Sequence, residues 1–304
     1  MPAWRFVQLD VFTATPLAGN PLAVFPDATG LEPGTMQALA REMNLSETTF
    51  VFPSTAATKR VRFYTPAAEV PLVGHPTIGT WWLLAARGLV SLPADGTAVI
   101  TQETGAGVLP VDIMLAGGKP TRVVMTQRQP EFGPPITTIT RLGRALGGDA
   151  RTVLRSPGPQ VVSTAMPQLM IPVRSLDVLR NLPSGGGGQT LAALLTALGS
   201  DCAMMYTLET ERPGATVHCR MFAPGLGVPE DPATGSAAGA LGAYLIRHGV
   251  VRPENGRAAI TIEQGLEIGR PSIIHVEVDV SGAAITRVRV GGEAVTVIDG
   301  EVRL

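Results

Sequence analysis

The sequence is poor in cysteine and carries almost no net charge. Its 304 residues include two cysteines, Cys202 and Cys219, which excludes a disulfide scaffold and a cysteine-based zinc site. Lysine and arginine number 24 and aspartate and glutamate 25, for a formal net charge of −1. A chain so close to neutral has no general attraction to nucleic acid or to an anionic membrane, so neither is expected as a partner.

Long apolar runs are also missing. Segment 70–86, among the longest stretches without charge, is interrupted by proline, glycine and histidine, so no membrane-spanning helix is expected. The first ten residues lack the basic and then apolar segments of a secretory leader, and we expect a cytoplasmic protein. Hydrophobic residues make up 45% of the chain, which excludes disorder over most of its length.

Glycine and proline, by contrast, are abundant. The 35 glycines and 26 prolines make up about a fifth of the chain, against about 12% in an average protein, and indicate many turns between short elements. A length of 304 residues corresponds to about two domains. Between short strand-like runs, apolar spacing and stop glycines predict helices over about 34–43, 75–87, 138–146, 191–198 and 236–248.

Two segments of the chain resemble each other. RFYTPAAEVP at 62–71 matches RMFAPGLGVP at 220–229 in its arginine, its third-position aromatic and its prolines. This repeat predicts an α+β fold with two pseudo-symmetric domains, each a mostly antiparallel sheet wrapped around a central helix. We place the domains at 1–128 and 129–304, with the alternative that the last strand returns to the first domain.

Each copy has a loop rich in glycine and proline that leads into its central helix. Gly74 and His75 in the first copy stand opposite Gly235 and Ser236 in the second. The first amides of a helix have no intrahelical partner and favour negative charge, so the two starts together would hold a carboxylate or a developing enolate. The alternative is that these residues only start the helices, with Thr234 or Ser236 as the N-cap.

Glu47 stands between a predicted helix and an apolar strand. Burial there would raise its pKa into the range useful for general acid/base chemistry. The alternative is an exposed glutamate at a helix–strand turn. Arg62 and Arg220, at matching positions of the repeat, would either orient an anion or form salt bridges at strand edges.

His75, Asp231 and Ser236 also allow a serine hydrolase as an alternative. A nucleophile elbow has glycine two residues before and two after its serine, whereas Thr234 and Ala238 occupy those places here. The remaining histidines show no metal-ligand spacing, so no metal site is expected.

Five motifs, taken in order, resemble the PhzF-like phenazine biosynthesis protein family. They span about 230 residues and so cover most of the chain. The motifs are DVF at 10–12, GNPLAV at 19–24, NLSET at 44–48, GHPT at 74–77 and EDPATGSA at 230–237.

This resemblance implies the diaminopimelate epimerase fold, with the site between two pseudo-symmetric domains. It also implies an isomerase similar to trans-2,3-dihydro-3-hydroxyanthranilate isomerase, without metal or organic cofactor, acting on a small carboxylate substrate as a homodimer. Related racemases carry a cysteine at each helix start, and this chain has His75 and Ser236 there.

The roles that the resemblance implies fall on seven residues. Glu47 is the general acid/base, assisted by His75 and Asp231. A ligand-binding protein of the same fold without turnover is the alternative from another class. The substrate-binding residues are Asn20, Gly74, Gly235 and Ser236.

Overall fold

The computed structural model describes residues 2–304, which form two compact units. The first unit contains residues 2–126 and 291–304, and the second contains residues 127–290. Each unit combines a large sheet with a few helices, which confirms the predicted α+β class.

Strands make up most of the regular structure and range from two to ten residues in length. Within residues 2–304 they are β1 (Ala3–Val11), β2 (Asn20–Phe25), β3 (Thr48–Phe52), β4 (Lys59–Tyr64), β5 (Glu69–Val70), β6 (Gly96–Thr104), β7 (Gly107–Ala116), β8 (Lys119–Thr126), β9 (Glu131–Pro135), β10 (Gln160–Ser163), β11 (Pro167–Pro172), β12 (Cys202–Thr207), β13 (Val217–Ala223), β14 (Val228–Asp231), β15 (Arg257–Gln264), β16 (Ser272–Ser281), β17 (Ala284–Gly292) and β18 (Ala294–Arg303).

The five predicted helices are confirmed, each within two residues of its predicted ends. A sixth, α4, was not predicted, because its five residues are too few to show helical periodicity; Ser175 caps it by accepting a hydrogen bond from the Val178 amide. The helices are α1 (Pro33–Met43), α2 (Gly74–Ala86), α3 (Ile139–Ala145), α4 (Leu176–Arg180), α5 (Gln189–Ala197) and α6 (Gly235–Arg247).

The same strand pairings occur in both units, in the same order along the chain. In the first, β1–β2, β3–β4, β4–β5 and β6–β7 are antiparallel, while β2–β3 and β4–β6 are parallel. In the second, β10–β11, β12–β13, β13–β14 and β15–β16 are antiparallel, while β11–β12 and β13–β15 are parallel. Six matched pairings establish the internal repeat that the sequence indicated.

A helix almost without charged residues forms the centre of each unit. Helix α2 has no charged residue and α6 has only Arg247, so both can be buried on nearly all sides. Small residues allow the sheets to pack closely against them. A Cβ added at Gly79 would lie 2.7 Å from Leu22, and one at Gly242 would lie 2.7 Å from Val276.

The other helices cover the outer faces of the sheets. In the first unit α1 places Met36 in a cluster with Phe25, Phe50 and Tyr64, whose rings stack or meet edge to face. In the second unit the corresponding cluster is mainly aliphatic, with Phe222 as its one aromatic residue, and includes Leu191 of α5. The sheet in each unit therefore lies between a central helix and an outer helical layer.

The strand that follows each copy of the repeat belongs to the other unit. Strand β9 comes after the first copy but pairs with β10 of the second unit, and β18 comes after the second copy but pairs with β1 of the first. Strand β1 ends at Val11, because the next residue, Phe12, has a φ of 65° and turns the chain.

Candidate active site

Glu47 and His75 meet in the first unit. Glu47 immediately precedes β3, and His75 is the second residue of α2. Glu47 Oε2 lies 3.4 Å from His75 Nε2, and the two side chains are 15% and 7% exposed. Glu47 is therefore not the exposed turn residue of the alternative interpretation.

The imidazole of His75 is neutral in this environment. Burial lowers the pKa of His75 from 6.5 to about 3. Its contact with Glu47 thus joins a carboxyl group to a neutral ring, which can accept or donate one proton at Nε2. A neutral imidazole can donate a hydrogen bond through one ring nitrogen and accept one through the other, so it can hold a proton or a polar group beside the Glu47 carboxyl group.

A buried glutamine helps to fix the start of α2. Gln102 Oε1 accepts a hydrogen bond of 2.8 Å from Trp81 Nε1, and its Nε2 donates to Thr77 Oγ1 over 3.5 Å. The Thr77 hydroxyl donates in turn to the carbonyl of Val73, the N-cap residue, over 2.8 Å. This chain of hydrogen bonds holds the turn that carries His75.

Asn20 is fully buried at the start of β2. The loop before it is bound by the buried carboxylate of Asp10, which accepts a hydrogen bond of 2.7 Å from the amide of Leu17. Phe12 and Leu17 have φ values of 65° and 66°, a conformation that side chains other than glycine seldom adopt. Local backbone strain of this kind often marks a functional loop.

Asp231 closes β14 in the second unit, four residues before α6 begins. The hydroxyl of Thr234 donates a hydrogen bond to Asp231 Oδ2. Gln264, fully buried at the end of β15, donates through Nε2 to the Asp231 carbonyl over 2.8 Å and to Thr234 Oγ1 over 3.1 Å. Thr234 is the N-cap residue, but its hydroxyl binds Asp231 instead of a first-turn amide.

Gly265 lets the end of β15 approach this loop closely. Its φ is +81°, and an added Cβ would lie 2.5 Å from the carbonyl oxygen of Pro232. A larger residue would push β15 away from the loop and break the hydrogen bonds of Gln264. The position therefore requires glycine.

Gly235 and Ser236 form the first turn of α6. The Gly235 carbonyl accepts a hydrogen bond of 2.9 Å from Gln127 Nε2, and the Thr164 hydroxyl donates to Gln127 Oε1 over 2.5 Å. An added Cβ at Gly239 would lie 1.9 Å from Gln127 Oε1, so this glycine makes room for the glutamine. The main chain of the turn is thus held from outside the helix.

Several groups outside these loops form ion pairs or buried hydrogen bonds. Arg62 pairs with Glu69 at 2.6 Å and Arg220 with Glu230 at 2.6 Å, the salt bridges of the two interpretations given above.

Among residues 2–304, no cluster of three or more histidine, cysteine, aspartate or glutamate side chains has the arrangement of a metal site. No helix in that range is both long and apolar enough to cross a membrane.

Comparison with known proteins decides the family. A model of the phenazine biosynthesis-like protein family matches residues 9–300. The chain belongs to this family. An uncharacterized isomerase of Clostridium acetobutylicum is 36% identical over 305 residues, which cover 99% of this chain and 98% of the relative.

Two further family members bear on activity and fold. The trans-2,3-dihydro-3-hydroxyanthranilate isomerase of Pseudomonas fluorescens is 36% identical over 293 residues, 96% of each chain. The crystal structure of a PhzF-family phenazine biosynthesis protein from Bacillus anthracis is 30% identical and matches with a TM-score of 0.91 over 100% of both chains. The predicted family and fold are confirmed, and the chain is an enzyme of the isomerase class.

Sequence reasoning missed the roles of Thr234 and Gln264 in the Asp231 loop. Thr234 lies inside the quoted motif, but its spacing suggested only an N-cap. Gln264 is 30 residues further on, at the end of a strand, and nothing local marks it. The parallel pairing of β13 with β15, which sets Cys219 opposite Gln264, is what brings the glutamine to the loop.

Proposed function

We propose that this member of the family moves a proton between carbons of a small carboxylate substrate without metal or organic cofactor. The relatives named trans-2,3-dihydro-3-hydroxyanthranilate isomerase support that compound, or a close analogue, as the substrate. We propose further that the enzyme works as a homodimer, as the family resemblance implies.

In this proposal Glu47 removes a proton from one carbon and returns it to another, so the overall reaction consumes no proton. His75, whose neutral ring places Nε2 next to Glu47 Oε2, holds a proton or a polar substituent of the substrate. Asp231 carries or orients a proton on a polar substituent of the substrate. Removing a proton from carbon needs both such a base and a stabiliser for the charge that develops.

The stabilisers are the starts of the two central helices. The amides of the first turn of α2 and of α6 have no intrahelical partner and carry the positive end of the helix dipole. In the second unit Thr234, the N-cap residue, uses its hydroxyl on Asp231 and not on a first-turn amide. We propose that Gly74, Gly235 and Ser236 bind the carboxylate or the developing oxyanion, and that Asn20 binds a polar group of the substrate.

The observation that carries the proposal is the contact between Glu47 and His75. A carboxyl group and an imidazole lie 3.4 Å apart, both largely buried, at the start of a helix. Burial keeps the ring neutral, since it lowers the pKa of His75 to about 3. A purely structural ion pair would instead hold the imidazole in its charged form.

The test follows deuterium uptake at substrate carbon by NMR, with trans-2,3-dihydro-3-hydroxyanthranilate in D2O. We expect the wild-type enzyme to catalyse uptake and Glu47→Gln to lose about 10²–10⁴-fold in rate, the usual contribution of a general base. The amide keeps the shape of the side chain, so ligand binding should change little.

Glu42→Gln is the matched control, because Glu42 is exposed near the end of α1 and should leave the rate unchanged. Undiminished uptake in a folded Glu47→Gln protein would remove Glu47 from the mechanism. Failure of the wild-type enzyme to act on this compound, with uptake into another small carboxylate, would correct the substrate and leave the acid/base proposal in place.

A further inference from the structure

The amide of Gln264 can adopt only one orientation. Its Oε1 faces the backbone N–H of Thr234 at 3.3 Å, and its Nε2 faces the backbone carbonyl of Asp231 at 2.8 Å. A flipped amide would set donor against donor and acceptor against acceptor. Because a backbone N–H can only donate and a carbonyl can only accept, the position of Nε2 is fixed.

This orientation also determines the direction of the next hydrogen bond. Gln264 Nε2 lies 3.1 Å from Thr234 Oγ1 and can only donate to it. The hydroxyl therefore uses an oxygen lone pair on Gln264 and has its own proton to give. The Thr234 hydroxyl directs that proton to Asp231 Oδ2, to which it donates a hydrogen bond.

We propose that Thr234 and Gln264 are positioning residues for Asp231, and that they fix Oδ2 as a hydrogen-bond acceptor. The inference rests on the proposed function, since it is the proton exchange of Asp231 that the arrangement serves. A proton on Oδ2 would oppose the hydroxyl proton of Thr234. A donated hydrogen bond also favours the ionised form of the carboxyl group.

Two titratable groups near Asp231, Cys202 and Glu230, do not explain the same arrangement. The charge of Asp231 acts on Cys202, on β12, but burial raises the pKa of this thiol to about 12, so it stays protonated. Glu230, the preceding residue, has both carboxylate oxygens occupied by the guanidinium of Arg220 at 2.6 and 2.8 Å. A thiol is only a weak donor and the Glu230 carboxylate cannot donate, so the Thr234 hydroxyl is the strong donor among these three groups.

Carbon-13 NMR of protein labelled at the carboxyl carbon of aspartate tests the inference without any substrate. The Asp231 signal is assigned by its loss in Asp231→Asn. In Thr234→Val, which keeps the shape but removes the hydroxyl, we expect the Asp231 carboxyl to titrate about one pH unit higher than in wild type. Thr234→Ser restores the hydroxyl and should return the midpoint to the wild-type value.

Gln264→Met is the second variant, in case Thr234→Val does not fold. It removes the donor that directs the Thr234 hydroxyl, and we expect a smaller upward move of the same midpoint. Gln160→Met is the matched control. Gln160 is a buried glutamine of the same unit that bonds to Gly133 and His248, so its loss should leave the Asp231 midpoint unchanged.

Kinetics supply the second readout. We expect Thr234→Val to lower kcat about tenfold with little change in KM, because the substitution alters the proton exchange of Asp231 and not substrate binding. A wild-type midpoint and a wild-type kcat in Thr234→Val would overturn the inference. If instead Asp231→Asn keeps full kcat, the proposed role of Asp231 fails, while the titration still judges the hydrogen-bond direction.

Discussion

The two units place the same kind of ion pair in opposite surroundings. Arg62 and Arg220 occupy matching places on β4 and β13, each opposite a residue of the preceding strand. The first pairs with Glu69, and the two side chains are 19% and 43% exposed. Arg220 pairs with Glu230, and these two side chains are only 3% and 2% exposed. The Arg220 guanidinium also donates to the carbonyls of Leu179, Arg180 and Leu182 at the end of α4.

A second matched position shows the same contrast. Arg60 faces Glu103 in the pairing of β4 with β6, and His218 faces Glu263 in the pairing of β13 with β15. Arg60 Nε and Glu103 Oε1 lie 3.8 Å apart near the surface. The imidazole of His218, by contrast, is fully buried, with Nδ1 2.7 Å from Glu263 and Nε2 2.8 Å from Glu267.

The difference shows how two copies of one topology come to rely on different forces. In the first copy the outer side of these strands is partly exposed, so its ion pairs are screened and contribute little stability. In the second copy α4 and the backbone of Glu211 and Arg212 cover the equivalent place and bond to the buried groups. Removing one member of a covered pair leaves the other charge without a partner.

The sharpest test of this comparison is Arg220→Met set against Arg62→Met. Loss of Arg220 leaves the buried Glu230 unpaired and should lower the free energy of unfolding by about 3–5 kcal/mol. Loss of Arg62 should cost about 0–1 kcal/mol. Urea unfolding followed by far-UV circular dichroism measures both variants, since this signal reports on both units. Equal losses would show that burial does not set the difference.

His218→Gln should show the next largest effect, about 2–3 kcal/mol, because it weakens hydrogen bonds to two buried carboxylates. Burial alone would lower the pKa of His218, but hydrogen bonds to Glu267 and Glu263 outweigh it, and the pKa is raised. The stabilisation should therefore be complete below pH 6.5 and decline as the pH rises through the raised pKa.

The control for His218→Gln is Arg60→Gln, at the matched surface position, which should cost about 0–1 kcal/mol. Unfolding in urea at several pH values measures the difference between each variant and wild type. A His218→Gln deficit that grows as the pH rises would contradict the assigned charge state of His218.

His75→Gln should give the smallest effect on stability, and one of opposite sign in pH. His75 is held neutral with a pKa of about 3, so unfolding takes up a proton below pH 6.5. The wild-type protein should therefore lose about 1–2 kcal/mol more than the variant between pH 7 and pH 5. Urea titrations at these two values measure it, and parallel losses in both proteins would show that the ring is charged when folded.

Local patterns in the sequence predicted much of this molecule. The central helices α2 and α6 were predicted from apolar runs and stop glycines, and the repeat from the segments around Arg62 and Arg220. Strands β5, β9 and β14 were not predicted, because segments of two to five residues beside glycine and proline show no alternation of apolar and polar residues.

Local sequence patterns could not predict which site residues and which ion pairs are buried. The segments RFY at 62–64 and RMF at 220–222 have the same pattern, and only the packing of α4 shows that Arg220 is the buried arginine. The sequence left Glu47 open between a buried and an exposed position, and its contact with His75, 28 residues later in the chain, shows that the side chain is largely buried. The hydrogen bonds of Gln264 to Asp231 and Thr234 could not be predicted from the sequence either, because they depend on a parallel strand pairing between distant segments.

Because β9 and β18 each belong to the unit other than the one whose repeat copy precedes them, the two units are completed at different stages of synthesis. All of the second unit comes from one continuous stretch, 127–290, so every strand it needs has been made before β18. The first unit lacks β18, the partner of β1 along its whole length, until residues 294–303 have been translated. The half of the protein made first, which carries Glu47 and His75, is therefore the half completed last, by a contact that spans nearly the entire chain.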